Sequence, residues 1–184
     1  MTRGPRRFTS LAALLILLAW PGRAQAAASV VTMQVTIRRI SVFVSPDAVT
    51  FGVLPDGAIV QTSEANDVTA LNDGNIVEDF LLALSEISPW SPGAAPGADV
   101  FVLSGLFVGA ADAPTAAHFG ADDAITTSLQ AATATRFAHA AFGLNGSHVP
   151  VSGSRDLWFQ YKAPTSSTVF TYQTIVVTVG AVTS

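Results

Sequence analysis

The chain has 184 residues, 49% of them hydrophobic and 12% charged, with a formal net charge of −4. That length suits one domain with a sizeable core, and the composition excludes a disordered acidic chain. The absence of cysteine excludes a disulfide framework, a thiolate metal site, a cysteine nucleophile and a diacylglyceryl-cysteine anchor.

Arg3, Arg6 and Arg7 precede an apolar run from Leu11 to Trp20, and the small-x-small sequence Ala24-Gln25-Ala26 follows. This is the pattern of a secretory signal peptide over residues 1–26, cleaved after Ala26. The run is shorter than the roughly 18 residues a transmembrane helix needs, so the expectation is a secreted protein, extracellular or at the cell surface, with no membrane attachment after cleavage. Cleavage leaves Arg38, Arg39, Arg136, Arg155 and Lys162 against all 13 acidic residues. Such an acidic surface argues against a nucleic-acid or anionic-lipid partner. A single lysine also leaves little of the residue that commonly guards exposed sheet edges.

The first element after the leader, Val30 to Val44, reads as β-strand, but its alternation changes phase. Val31, Met33, Val35 and Ile37 are apolar at odd positions, and Ile40, Val42 and Val44 at even ones, with Arg38 and Arg39 at the break. A one-residue slip turns every side chain to the other face. Two structures explain the flip. In one, residues 27–39 form an extension whose apolar face fills a neighbour's sheet, and Arg38 and Arg39 form the hinge before the domain of residues 40–184. In the other, a β-bulge bends one strand within its own sheet. Phase alone leaves both open.

Downstream, Asp47 to Pro55 carries Val49 and Phe51 and ends in a Pro-Asp-Gly turn. Short strand candidates follow at "AIVQTSE" and "NDVTALND", then a turn at Asp73 to Asn75. Ile76, Glu78, Phe80, Leu82 and Leu84 share one face of the next strand. Ser88 to Gly97 is a Pro/Gly loop containing Trp90. Asp99 to Gly109 is a nearly continuous apolar run, as in a central strand buried on both sides or one bulged at Gly105. Ala111 to Gly143 mixes alanines with threonines, glycine and proline, which predicts irregular loops with short strands and one helical turn. Leu157, Phe159 and Tyr161 alternate with Trp158, Gln160 and Lys162, and Thr168 to Ser184 predicts a long closing strand. Many short strands without helical periodicity point to an all-β fold, a single antiparallel β-sandwich. Its expected core contains Phe51, Phe80, Leu82, Phe101, Leu103, Leu157, Phe159, Ile175 and Val177.

Catalytic and cofactor signatures are weak. His118, His139 and His148 have no metal-ligand spacing, and no G-x-S-x-G elbow is present. Asp122 and Asp123, near Asp112, lack the D-x-D-x-D-G calcium pattern and read as a solvated acidic loop. No glycine-rich stretch opens a helix to cradle phosphate. The expectation is therefore no enzyme, no cofactor and no metal. Trp90 and Trp158 read as packing residues, although an exposed Trp90 would suit sugar stacking. Asn145-Gly146-Ser147 is a formal N-glycosylation sequon on a turn.

The strand before "SPDAVTFGVLPDG", the turn-rich "NDGNIVEDFLLALS" and the closing "LWFQYKAPTSSTVFTYQTIVVTV" together resemble secreted prokaryotic Ig-like β-sandwich fibre subunits, such as the TasA/camelysin-type matrix proteins and other donor-strand filament proteins. The resemblance lies in the pattern of most of the mature chain. It implies an Ig-like sandwich that serves as a structural subunit of an extracellular filament, biofilm matrix or surface layer, with other copies of itself as partner. Val31, Met33, Val35 and Ile37 are then the donor strand. The alternative is a monomeric surface adhesin or carbohydrate-binding module with glycans as partners. A secreted hydrolase is the remaining class.

Overall fold

The computed structural model describes residues 32–85, 89–110 and 112–184. The signal peptide predicted over residues 1–26 and the start of the predicted extension, Val31 included, lie outside the described residues. The chain divides into two units, Met1–Val35 and Thr36–Ser184. Residues 32–35 of the first are exposed and belong to no strand. The elements that follow all belong to the second.

Nine strands carry that unit. They are β1 (Val42–Ser45), β2 (Ile59–Gln61), β3 (Val68–Asn72), β4 (Glu78–Leu84), β5 (Ser91–Pro92), β6 (Val100–Val108), β7 (Gln130–Ala131), β8 (Ser154–Lys162) and β9 (Val177–Thr183). Two sheets result. The larger has the order β1-β3-β8-β6-β5, with β2 sharing the β3 side of β8, and the smaller is β7-β4-β9. The all-β expectation is met. The expected purely antiparallel arrangement is corrected: Ser91 and Pro92 run parallel to Val100 and Phe101, and Ala98 forms a parallel bridge with Ser166. The Pro/Gly loop before β6 brings β5 alongside it in that direction, and a two-residue contact at a sheet edge tolerates the proline.

The two sheets share one apolar core. Phe80, Leu82 and Leu84 of the small sheet meet Phe101, Leu103, Phe107, Leu157 and Phe159 of the large one. All nine residues expected in the core join this cluster, with Phe51, Ile175 and Val177 half-buried at its margin. Phe80 and Phe107 pack with ring centroids 5.5 Å apart. Tyr161 lies between Phe51 and Phe101, both 5.8 Å away. Its buried hydroxyl has no hydrogen-bond partner, and burial pushes its pKa up to about 12.

The continuous apolar run of β6 has the cause the sequence suggests. One face meets the small sheet. The other is covered by the segment between β6 and β8, where Leu106, Val108, Phe119 and Trp158 form a second cluster. That segment contains β7 and two 3-10 turns, Ala116–His118 and Ala121–Asp123. The Gln160 side chain, buried on this outer face, donates to the Ala116 carbonyl at 3.1 Å. Gly105 marks no bulge, since β6 pairs with β8 without interruption from Val102 to Val108. Glycine fits there because a Cβ would lie 2.7 Å from Leu82 Cδ1 and 3.1 Å from Ile125 Cδ1.

Two strand expectations are corrected. The strand predicted from Thr168 joins a ladder only at Val177, because its partner β4 ends at Leu84, opposite Val177. At the other end, the strand predicted from Val30 enters a ladder only at Val42. Between Ile37 and Ser41 the main chain bonds instead to side chains and backbone around the β3–β4 turn.

Candidate functional site

Polar side chains around the β3–β4 turn hold the chain just before β1. Asn72, fully buried at the end of β3, donates through Nδ2 to the carbonyls of Ile76 (2.8 Å) and Val149 (3.0 Å). Its Oδ1 accepts the Gly74 N–H at 2.9 Å. The turn so fixed presents Asn75 to the incoming chain. Asn75 Nδ2 donates to the Ile37 carbonyl at 2.8 Å, Asn75 Oδ1 accepts the Arg39 N–H at 2.7 Å, and the Asn75 N–H returns to the Arg39 carbonyl at 3.1 Å. The Arg39 guanidinium reaches Asp73 at 3.2 Å in an exposed ion pair. Glu78 is in phase with Phe80 and therefore faces inward. Its buried Oε1 accepts the Ser41 N–H at 2.9 Å, while Oε2 is buried without a partner. Gly74 closes the cluster, since a Cβ there would collide with Glu78 Oε1 and lie 2.6 Å from the Arg39 carbonyl oxygen.

Ile37, Arg39 and Ser41 are thus held at every second residue, and Arg38 between them is exposed. Upstream of this anchor, Met33, Val35 and Ile37 are 84%, 86% and 83% exposed. Val31, the fourth residue of the predicted donor face, lies outside the described residues. No bulged ladder joins residues 32–41 to β1 among the described residues.

At one seam of the domain β1 ends the large sheet and β9 ends the small one, and the two edge strands lie close together without a ladder between them among the described residues. β9 pairs with β4 from Val177 to Thr183 and with no other strand among the described residues. The Ser85 N–H bonds the Val176 carbonyl and the Ser184 N–H bonds the Val77 carbonyl, so the even-numbered residues of β9 address β4. By the alternation of an antiparallel ladder, the N–H and C=O groups of Val177, Val179, Ala181 and Thr183 face the free edge. The side chains of Val177, Val179 and Ala181, and those of Val42 and Val44 in β1, are half-buried against the core.

The approach to β9 is pinned at its start. Asp99, at φ 52°, accepts from Thr168 through both Oδ1 (N–H, 2.8 Å) and Oδ2 (hydroxyl, 2.6 Å). The Ser167 hydroxyl donates to Asp99 at 3.0 Å and accepts the Trp90 indole N–H at 3.0 Å. The hydrogen bonds from Thr168, led by its hydroxyl, lower the Asp99 pKa below the usual carboxylate value. Trp90 is half-buried against the core, which leaves its ring little free face for a sugar. Beyond the pin, Phe170 and Tyr172 are 90% and 78% exposed.

Elsewhere the fold brings together two histidines that are far apart in sequence. The rings of His118 and His139 lie 4.7 Å apart, with Phe142 edge-on to His118 at 4.9 Å. Each ring accepts a backbone N–H on Nδ1, from Thr115 (3.0 Å) and Ala141 (3.1 Å). The neutral rings then carry their protons on Nε2, the atom a metal would need. No group of three His, Asp or Glu side chains among the described residues converges on a metal position. Asp123 is buried rather than solvated, and it ties two loops together by accepting from Gly120 (2.7 Å) and Ala138 (3.2 Å). Desolvation raises its pKa.

A shallow cleft of about 670 Å³ between the β5 loop and the second 3-10 turn is lined by Pro92, Ile125, Thr126, Gln130 and Arg136 among others. Its lining also holds Asp122, which forms no ion pair with Arg136 among the described residues. Asn145 of the sequon sits on a turn, with Oδ1 accepting from Ser147 at 2.8 Å and 2.6 Å. The buried Arg155 donates to the Asn145 carbonyl at 2.6 Å, and desolvation lowers its pKa.

No protein-family model, curated protein or solved structure matches the chain. No helix among the described residues is long and apolar enough to cross a membrane. The sequence marked Arg38 and Arg39 as a break in the alternation but not Asn72, Asn75 and Glu78 as the residues that hold the chain there. The "NDGN" turn was the available signal, but a turn motif does not say which distant segment its side chains will grip.

Proposed function

We propose that this chain is a secreted, non-catalytic subunit of an extracellular filament or surface layer, an Ig-like β-sandwich that polymerises by giving its N-terminal strand to the sheet of a neighbouring copy. The observation that carries this reading is the exposure of Met33, Val35 and Ile37 at alternating positions directly before a tightly held anchor. Burying an apolar side chain of this size gains about 1.5–3 kcal/mol, and each backbone hydrogen bond of an added strand gains about 0.5–1.5 kcal/mol net. An alternating apolar segment of this kind suits strand addition to another molecule's sheet.

Electron microscopy of purified protein beginning at Ala27 tests the reading, with filaments as the expected result and a persistent monomer as the overturning one. Deleting residues 27–37 should leave a folded subunit that no longer assembles, and a synthetic peptide of residues 27–39 should raise its unfolding temperature. A deleted protein unable to fold with or without peptide would instead place the segment in its own sheet.

A second reading, a monomeric carbohydrate-binding module, draws support from the exposed rings of Phe170 and Tyr172 rather than from Trp90. Aromatic faces are the usual platform for sugar rings. Retention on a glycan array that is lost in Phe170→Ala would favour it.

A further inference from the structure

Resting on the donor-strand reading, we propose that the acceptor is the free edge of β9, and that Met33, Val35 and Ile37 of a second copy pair antiparallel with Ala181, Val179 and Val177. The edges differ in length and protection. β1 is four residues long, β2 three, and β5 and β7 two each, whereas β9 offers seven. Folded proteins guard long edges with lysine, proline, bulges or inward-pointing charge. β9 has none of these: no charged residue occurs from Ala163 to Ser184 and no proline from Thr165 onward. Its ladder with β4 is unbroken.

The donor matches this edge. From Ala26 to Ile37 the sequence is also free of charge and proline. Residues opposite one another in a ladder point to the same face. Val177, Val179 and Ala181 face the core, so Ile37, Val35 and Met33 laid opposite them would do the same. There they would cover the half-exposed seam beside Val42 and Val44 of β1.

The anchor indicates why the donor comes from another copy. Ile37 is held by Asn75, three residues before Glu78, and Glu78 lies opposite Thr183 at the C-terminal end of β9. A segment ending at this point and reaching back along its own β9 would run parallel to it. A second copy is free of that constraint and can form the somewhat more stable antiparallel ladder. Donor and acceptor are different surfaces, so the contact is head-to-tail and builds a filament wherever the rotation between successive copies does not close a ring.

The lack of cysteine makes the pairing directly testable. Opposed residues of an antiparallel ladder have Cα atoms about 4.5–5.5 Å apart, within disulfide range. Val35→Cys combined with Val179→Cys should give a ladder of covalent multimers under mild oxidation, whereas Val35→Cys combined with Ser91→Cys, exposed on β5 at the opposite end of the large sheet, should not. The reverse pattern, or a cross-link confined to single chains, would overturn the assignment. Ala181→Pro removes an N–H that faces the free edge and leaves the β4 bonds of β9 in place. It should abolish filaments while the protein stays folded by circular dichroism. If wild-type filaments form and require residues 27–37, yet Ala181→Pro still polymerises, the donor reading stands and β9 is the wrong edge. If the wild type gives no filaments, both readings fail.

Discussion

Single side chains in this protein either fill the common core or close local polar networks, and the two kinds respond differently to change. Phe80 is fully buried between the sheets, in contact with Phe107. Phe80→Ala should cost about 3–5 kcal/mol by lost transfer energy plus the cavity left behind, measured by urea unfolding, and a loss below about 1 kcal/mol would mean that the site collapses freely. Asp99 acts through charge. Its folded pKa lies below the ordinary value, so its contribution to stability is present above the unfolded pKa of 3.8 and is lost as pH falls through the folded one. Asp123 has the opposite sign: its raised pKa favours the protonated form in the fold, so its contribution declines as pH rises through that value. Below pH 3.8 the Asp99→Asn variant should therefore show a shallower fall of unfolding temperature with pH than the wild type. An unchanged slope would remove Asp99 as the acid-sensitive pin on Thr168.

At the level of elements, what was legible in the sequence depended on whether the deciding contacts were local. β6 was readable because burial on both faces leaves a continuous apolar run, and β8 because Leu157, Phe159 and Tyr161 alternate on its core face. The phase of β4 was readable even at Glu78, whose inward place follows from Phe80. The N-terminal start of β9 was not, because Val/Thr alternation continues upstream of Val177 and only the end of β4, elsewhere in the chain, cuts the ladder there. The anchor at Arg39 was half legible: the phase flip marked the place, but the gripping residues Asn75 and Glu78 lie 36 and 39 positions further on. Gly105 was first readable as a bulge or a buried strand position, and packing decides for the latter. Gly105→Ala should cost about 1–3 kcal/mol through overpacking against Leu82 and Ile125. Pairing it with Leu82→Ala should recover part of that loss if the contact is the cause, which a double-mutant cycle would measure.

Across the whole molecule, acids outnumber bases 13 to 9, yet the segment proposed as donor and the edge proposed as acceptor are both without charge. Assembly through such surfaces has no ion pair to draw subunits together, while copies of like charge repel one another as they approach. Salt screens that repulsion over a Debye length of about 30 Å at 0.01 M and about 10 Å at 0.1 M, and it leaves backbone pairing and apolar burial almost untouched. Polymerisation followed by light scattering should therefore accelerate between these two ionic strengths. Filaments once formed should resist dissociation at either. Binding driven by a charged patch on a partner subunit would behave in the opposite way, slowing as steering is screened. A rate that falls with salt would move the contact away from the uncharged seam at β9 and toward the few exposed basic side chains, Arg38 first among them because it adjoins the anchor and is itself exposed.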